Sequence, residues 1–187
     1  MAIEAILTDM DGTLIDTEHA NAASYCEAIS AYGIDISTEY FCQEYSGMSW
    51  KQFLPIILPD HEMDVYSAIA ADKKDIYRNN MAKTSVFEPV HQFLLNFYGL
   101  AKLGIVTTAS RQAVNNLLQY HNLGEIFDVI VSGDDVKNAK PHPEPYLLAA
   151  AKLDVDIKKC IILEDSLIGV ESGTASGATV FVVKHAK

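Results

Sequence analysis

The chain has 187 residues, 49% of them apolar and 21% charged, which excludes wholesale disorder and is enough to bury a hydrophobic core in one domain, or in one domain with a smaller one inserted. A formal charge of −11 makes it a poor general partner for nucleic acid or an anionic membrane surface, and no run of 18 apolar residues is present to span a bilayer. Cys26, Cys42 and Cys160 are far apart and odd in number, so they form neither a metal-ligand pattern nor a disulfide framework, and reduced thiols in a cytoplasmic protein are expected.

The first predicted element is a buried strand, Ile3 to Thr8, ending at the polar cluster Asp9-Met10-Asp11-Gly12-Thr13. The acidic residue at position 4 and the shortness of this apolar run rule against a secretory signal. From Asp16 to Thr84 the pattern turns helical: a helix from Glu18 to Tyr32 with Gly33 as its stop, a region that Pro55 and Pro59 should break, and a helix from Asp60 to Asn80. This stretch of 69 residues carries 11 acidic and 5 basic side chains. Four more apolar runs follow, Lys102 to Thr108, Phe127 to Ser132, Cys160 to Leu163 and Thr179 to Val183. They alternate with helical faces marked by Val90, Phe93, Leu94 and Phe97, by Val114, Leu117 and Leu118, and by Tyr146, Leu147, Ala150 and Leu153. Such alternation predicts a mostly parallel sheet with helices on both faces, split by a helical insertion: 1–15 and 85–187 as the core, 16–84 as the insert.

In an open α/β sheet, ligands bind beyond the carboxyl ends of the strands. Here those ends supply Asp9 and Asp11, then Thr107-Thr108-Ala109-Ser110-Arg111, then Ser132 to Asp135 followed by Lys140-Pro141, then Glu164-Asp165-Ser166. Asp9 and Asp11 fall on one side of an extended segment, and two carboxylates so close resist joint ionisation unless a cation lies between them. With Asp165 they make an all-oxygen set, which suits Mg²⁺ better than zinc. Asp9-Met10-Asp11 alone reads equally well as a turn capped by Asp11 before Gly12; the polar residues on the neighbouring strand ends tip the balance. A carboxylate beside Mg²⁺ can attack phosphorus, and a second can protonate the leaving oxygen and then deprotonate water. Thr108 and Lys140 supply the hydrogen bonds and positive charge that phosphoryl oxygens need. Lys140 would otherwise be an ordinary surface lysine, but Pro141, Pro143 and Pro145 stiffen the segment that aims it. No glycine-rich loop followed by Lys and Ser or Thr is present, which excludes a P-loop kinase, and no GxGxxG fingerprint follows Leu7.

These residues carry a resemblance. Asp9 to Thr17 (DMDGTLIDT), Thr107 to Ser110, Lys140 to Tyr146 (KPHPEPY) and Leu163 to Val170 (LEDSLIGV) resemble, in order, the four signature motifs of the haloacid dehalogenase superfamily of phosphatases and phosphomutases. The similarity covers essentially the whole chain and is greatest to the subgroup with a helical cap after the first motif, which includes phosphoglycolate-type phosphatases, small sugar-phosphate phosphatases and β-phosphoglucomutase. The fold it implies is α/β, a Rossmann-like mostly parallel sheet flanked by helices, with a small inserted helical cap domain. It implies Asp9 as nucleophile, forming an aspartyl-phosphate, and Asp11 as general acid and base, its backbone carbonyl also helping to hold Mg²⁺. It implies Thr108 on the phosphoryl group and Lys140 neutralising nucleophile and phosphate. Asp165 completes the metal shell of Asp9, Asp11 and Asp165, with Glu164 in support. Asp11 argues against dehalogenation, since the dehalogenases lack that aspartate.

The implied activity is Mg²⁺-dependent hydrolysis of small phosphate monoesters, with sugar or polyol phosphates as candidate substrates. Asn21 stands where β-phosphoglucomutase has a histidine, and Trp50 where it has an arginine that grips the distal phosphate, so a phosphomutase is the second reading. A catalytically silent binding protein is a distant third, because Asp9, Asp11, Thr108, Lys140 and Asp165 are all present. A closing cap admits a small phosphorylated metabolite and not a folded phosphoprotein. Gly47, Trp50 and Lys51 in the cap, and Ser110 and Arg111 beside Thr108, complete the substrate-binding candidates; for Trp50, packing within the cap is an equal expectation. A monomer is expected, with a dimer through the exposed sheet edge near Val183 as the alternative.

Overall fold

A computed structural model describes residues 3–185; Met1 and Ala2, part of the stretch read against a signal, and Ala186 and Lys187 lie outside the described residues. In chain order the strands are β1 (Ala5–Thr8), β2 (Ile15–Asp16), β3 (Ser85–Val86), β4 (Lys102–Val106), β5 (Val129–Val131), β6 (Cys160–Glu164) and β7 (Thr179–Val182). The helices are α1 (Glu18–Ser30), α2 (Thr38–Tyr45), α3 (Trp50–Ile57), α4 (Met63–Asn80), α5 (Glu88–Phe97), α6 (Arg111–Tyr120), α7 (Glu144–Leu153) and α8 (Leu167–Ser176), with short 3₁₀ turns between some of them. The chain forms two compact units, Met1–Asp16 with Val86–Lys187, and Thr17–Ser85. No helix among the described residues is long and apolar enough to cross a membrane.

The first unit is built on a five-stranded sheet of order β5-β4-β1-β6-β7, every neighbour parallel, as the alternation of elements predicted. β1 and β6 are buried along their whole length, because helices cover both faces of a parallel sheet and leave no polar side to alternate with. Leu7, Val106, Val131, Tyr146, Ala149 and Ile162 share one core cluster. The register places Thr8 beside both Ile105 and Leu163, so one step further on Asp9, Val106 and Glu164 emerge at the same level. β4 ends two residues earlier than the apolar run suggested. The Thr107 amide still donates to the Val131 carbonyl (3.0 Å), but the Thr107 hydroxyl then accepts from the Ala109 amide (3.0 Å) and bends the chain out of the strand.

The second unit is helical, with a core of Cys26, Ile29, Phe41, Phe53, Leu54, Leu58, Tyr66 and Ile69. Aromatic geometry organises it: Tyr25 stacks on Phe41 at 5.8 Å, and Phe53 meets Phe41 edge-on at 5.0 Å. The first helix ends at Ser30, two residues before the expected Tyr32, and Gly33, at φ +79°, closes the turn that follows, its amide donating to the Ser30 carbonyl (2.9 Å). Pro55 does not break its region but lies inside α3. A capping box between Ser49 and Gln52 secures the first turn, and burial of Phe53 and Leu54 holds the helix across the missing amide donor.

Candidate active site

β1 delivers Asp9 into a tight loop. The Asp9 amide donates to the Leu163 carbonyl (2.9 Å), extending the ladder with β6, and the Leu14 and Ile15 amides both return to the Met10 carbonyl (3.0 and 2.9 Å). Gly12 sits in this loop at φ +85°, a conformation that costs glycine least, and a Cβ there would lie 2.5 Å from Asp165 Oδ2. Asp165 therefore packs directly on the loop, where its Oδ1 accepts from the Thr13 hydroxyl (2.7 Å).

Lys140 reaches this point from the segment before α7. Glu144, in the first turn of that helix, accepts from the Lys137 and Asn138 amides (2.8 and 3.1 Å) and so pins the segment. The Lys140–Pro141 peptide is cis. The buried Lys140 ammonium donates to Asp9 Oδ1 (2.7 Å), to Glu164 Oε1 (2.5 Å) and to the Val106 carbonyl (2.9 Å), which uses all three of its N–H groups. Glu164, fully buried, is satisfied on both oxygens: Oε1 also accepts from the Tyr146 hydroxyl (2.9 Å), and Oε2 from the Ser166 amide and hydroxyl (3.1 and 3.0 Å). Gly169 gives this carboxylate its room, since a Cβ there would fall 1.7 Å from Glu164 Oε1.

Burial pushes the Asp9 carboxyl up to about 8; Lys140 pulls it back down, while Glu164 and Asp11 add to the rise. Burial works against the Lys140 ammonium, but Asp9 and Glu164 more than offset it and hold its pKa above the usual lysine value. Burial, and then Glu164, hold the Tyr146 phenol well above its usual range, so it stays a protonated donor.

Oxygen atoms of Asp9, Glu164 and Asp165 lie within 4.8 Å of one another. Three carboxylates so close, with Asp11 also acting on Asp9 and a single ammonium between Asp9 and Glu164, fit a hard divalent cation such as Mg²⁺. The Asp11 carboxylate is placed differently from the other three: its Oδ2 accepts from the Thr107 hydroxyl (3.3 Å).

The remaining candidates separate into groups. Thr108 is exposed beside Thr107, and Gly133 approaches its carbonyl so closely that a Cβ would lie 2.4 Å away. Ser110 caps α6, accepting from the Ala113 amide (3.4 Å). The Arg111 guanidinium is engaged by Asp135 and by the Ile130 carbonyl (2.9 Å), so it ties α6 to β5 and the turn after it. In the helical unit, Gly47 is exposed at φ +82°, Trp50 opens α3 and packs on that unit's own core, and the Lys51 ammonium lies 5.5 Å from the Trp50 ring centre. Thr13, Thr107, Tyr146, Ser166 and Gly169 are partners that the motifs contained but that sequence reasoning gave no task. Their spacing within the motifs was the available signal.

The family described as haloacid dehalogenase-like hydrolase matches residues 6–183, and the chain belongs to that family; it is an enzyme of the hydrolase class. Among its relatives, the phosphorylated carbohydrates phosphatase of Thermotoga maritima is 30% identical over 94% of this chain and 82% of its own length. The pyrophosphatase PpaX of Bacillus velezensis is 34% identical over 99% of this chain and 87% of its own. Of the solved structures, CbbY from Rhodobacter sphaeroides in complex with phosphate superposes with a TM-score of 0.77 at 28% identity, over 97% of this chain and 87% of that one. A mutant of CbbY has been solved in complex with xylulose-(1,5)bisphosphate.

Proposed function

We propose that this protein is a Mg²⁺-dependent phosphatase of small phosphate monoesters, sugar or polyol phosphates foremost, working through an aspartyl-phosphate on Asp9. The observation that carries the reading is the buried Lys140 ammonium shared by Asp9 and Glu164 at the end of β1, with Asp165 beside them. A carboxylate held against an ammonium in a desolvated site is oriented for attack on an electrophile that brings its own negative charge.

In the proposed reaction an Asp9 oxygen forms a bond to phosphorus, and the bond from phosphorus to the ester oxygen breaks. Asp11, steadied by the Thr107 hydroxyl, gives its proton to the departing oxygen. Asp11 then takes a proton from water as that water attacks the aspartyl-phosphate, releasing inorganic phosphate and restoring Asp9. Thr108 and Lys140 hold the phosphoryl oxygens. Asp9, the Asp11 backbone carbonyl and Asp165 would hold the metal with Glu164 in support; when bound, it would favour the ionised form of Asp9 and offset phosphate charge. We assign 16–84 as the cap domain, with Gly47, Trp50 and Lys51 as its substrate-binding candidates.

The test is phosphate release from a panel of hexose phosphates, fructose 1-phosphate, polyol phosphates, phosphoglycolate and pyrophosphate, each with Mg²⁺ and with chelator. Release that needs Mg²⁺ and is abolished in Asp9→Asn supports the reading, and the rate order names the ester. Hydrolysis of pyrophosphate alone would move the assignment to the activity named for PpaX. Bisphosphate-dependent isomerisation without release would move it to a phosphomutase. Release that survives Asp9→Asn would remove Asp9 as nucleophile.

A further inference from the structure

We infer that Tyr146 is a positioning residue: its hydroxyl keeps Glu164 satisfied when Lys140 turns a proton toward the incoming phosphate. The inference rests on the phosphatase reading above. Lys140 has three N–H groups, and all three are taken, by Asp9, Glu164 and the Val106 carbonyl. To contact a phosphoryl oxygen the ammonium must release one of them. Releasing Asp9 would lose the alignment of the nucleophile, and releasing the Val106 carbonyl would take this donor from a fully buried backbone acceptor. Releasing Glu164 would strand an oxygen of a carboxylate with no exposed surface, which is expensive.

The structure removes that obstacle. Glu164 Oε1, the oxygen that faces Lys140, has a second donor in the Tyr146 hydroxyl at 2.9 Å, and Oε2 is held independently by Ser166. Tyr146 is itself fully buried in the core of the sheet, so its hydroxyl cannot swing away to water. Its ring centre lies 5.0 Å from the Lys140 ammonium, giving the cation a second favourable surface along which to move. A phenylalanine would fill the same core volume. The hydroxyl is what lets Lys140 move from carboxylate to phosphate without leaving Glu164 unpaired.

The experiment compares wild type with Tyr146→Phe and Tyr146→Leu. It measures calorimetric binding of Mg²⁺ alone, calorimetric binding of inorganic phosphate in the presence of Mg²⁺, and steady-state kinetics on the best ester of the panel. Tyr146→Phe should bind Mg²⁺ as wild type does, bind phosphate about tenfold more weakly, and show a correspondingly raised KM with a smaller change in kcat. Tyr146→Leu should show the same phosphate defect and also a lower melting temperature. If Tyr146→Phe binds phosphate as wild type does, the inference is overturned while the phosphatase reading stands. If it loses Mg²⁺ and phosphate affinity together, the hydroxyl is a general prop of the site and the inference is likewise overturned. If wild type itself neither binds phosphate nor hydrolyses any ester, the phosphatase reading fails and this inference with it.

Discussion

β1 and β6 carry an ion pair at each end, and the two ends could hardly differ more. At the amino end, Lys159 meets Glu4 at 2.6 Å, both side chains about 40% exposed. At the carboxyl end, Lys140 meets Asp9 at 2.7 Å with its side chain 2% exposed, and a second carboxylate shares it. The distances are nearly the same; the surroundings are not. Water already solvates the first pair, so its rupture changes little. The second pair has little water to fall back on, so removing the ammonium would leave buried carboxylates without their cation. Separation alone therefore says little about what an ion pair does in this protein.

The largest effect expected from breaking this contrast belongs to Lys140→Met. It leaves Asp9 and Glu164 facing each other without a cation, and should cost about 3–5 kcal/mol of stability in chelator above pH 8, where Asp9 is ionised, read by urea unfolding. Turnover should fall by on the order of 10³-fold, with the defect in kcat.

Gly169→Ala comes next. Its new methyl group would occupy the position of Glu164 Oε1, pushing the carboxylate off both Lys140 and Tyr146. A displacement of that size should lower kcat/KM by about 10²-fold. Gly124→Ala is the control: a Cβ there meets nothing within 4 Å, so activity should be unchanged.

The third prediction concerns pH. The Asp9 carboxyl titrates at about 8 in the folded protein against 3.8 for the free group, so between those values the native state holds the extra proton. Stability of the metal-free protein should therefore be greatest at the acid end and fall as pH rises toward 8. Mg²⁺ must displace that proton, so its apparent affinity should climb over the same range. Melting curves with Mg²⁺ and with chelator at pH 6 and pH 8 check both, the increment from Mg²⁺ being larger at pH 8. An increment independent of pH would mean that Asp9 is ionised before the metal arrives.

The smallest effect is assigned to Lys159→Met, which should leave both melting temperature and turnover where they are. A Lys159 defect comparable to that of Lys140 would undo the contrast altogether.

Much of this was legible in the sequence, for identifiable reasons. The strands of a doubly covered parallel sheet are continuous apolar runs, so β1, β4 and β6 stood out, and their polar ends marked the site. What stayed hidden was the assignment of partners. Tyr146 falls on the apolar face of α7, where the helical period counts it as core; the ring is core, and the hydroxyl is not. Thr107 and Thr108 are adjacent hydroxyls that no periodicity tells apart, and only the bend after β4 directs the first of them to Asp11. Arg111 reads as a cation for an anionic substrate, yet it stands within reach of the turn after β5, whose Asp135 engages it. Pro55 reads as a breaker because the penalty of proline is local, whereas the burial that outweighs it is tertiary.

The place of β1 in the sheet has one more consequence. Strands flank it on both sides, and Ile6, Leu7 and Thr8 are fully buried. No local fraying can free their backbone; the sheet must come apart down its middle. In deuterium-exchange experiments these amides should be among the last to exchange, their rates reporting global unfolding. The residue that would carry the phosphoryl group is thus attached to the slowest-opening segment of the molecule.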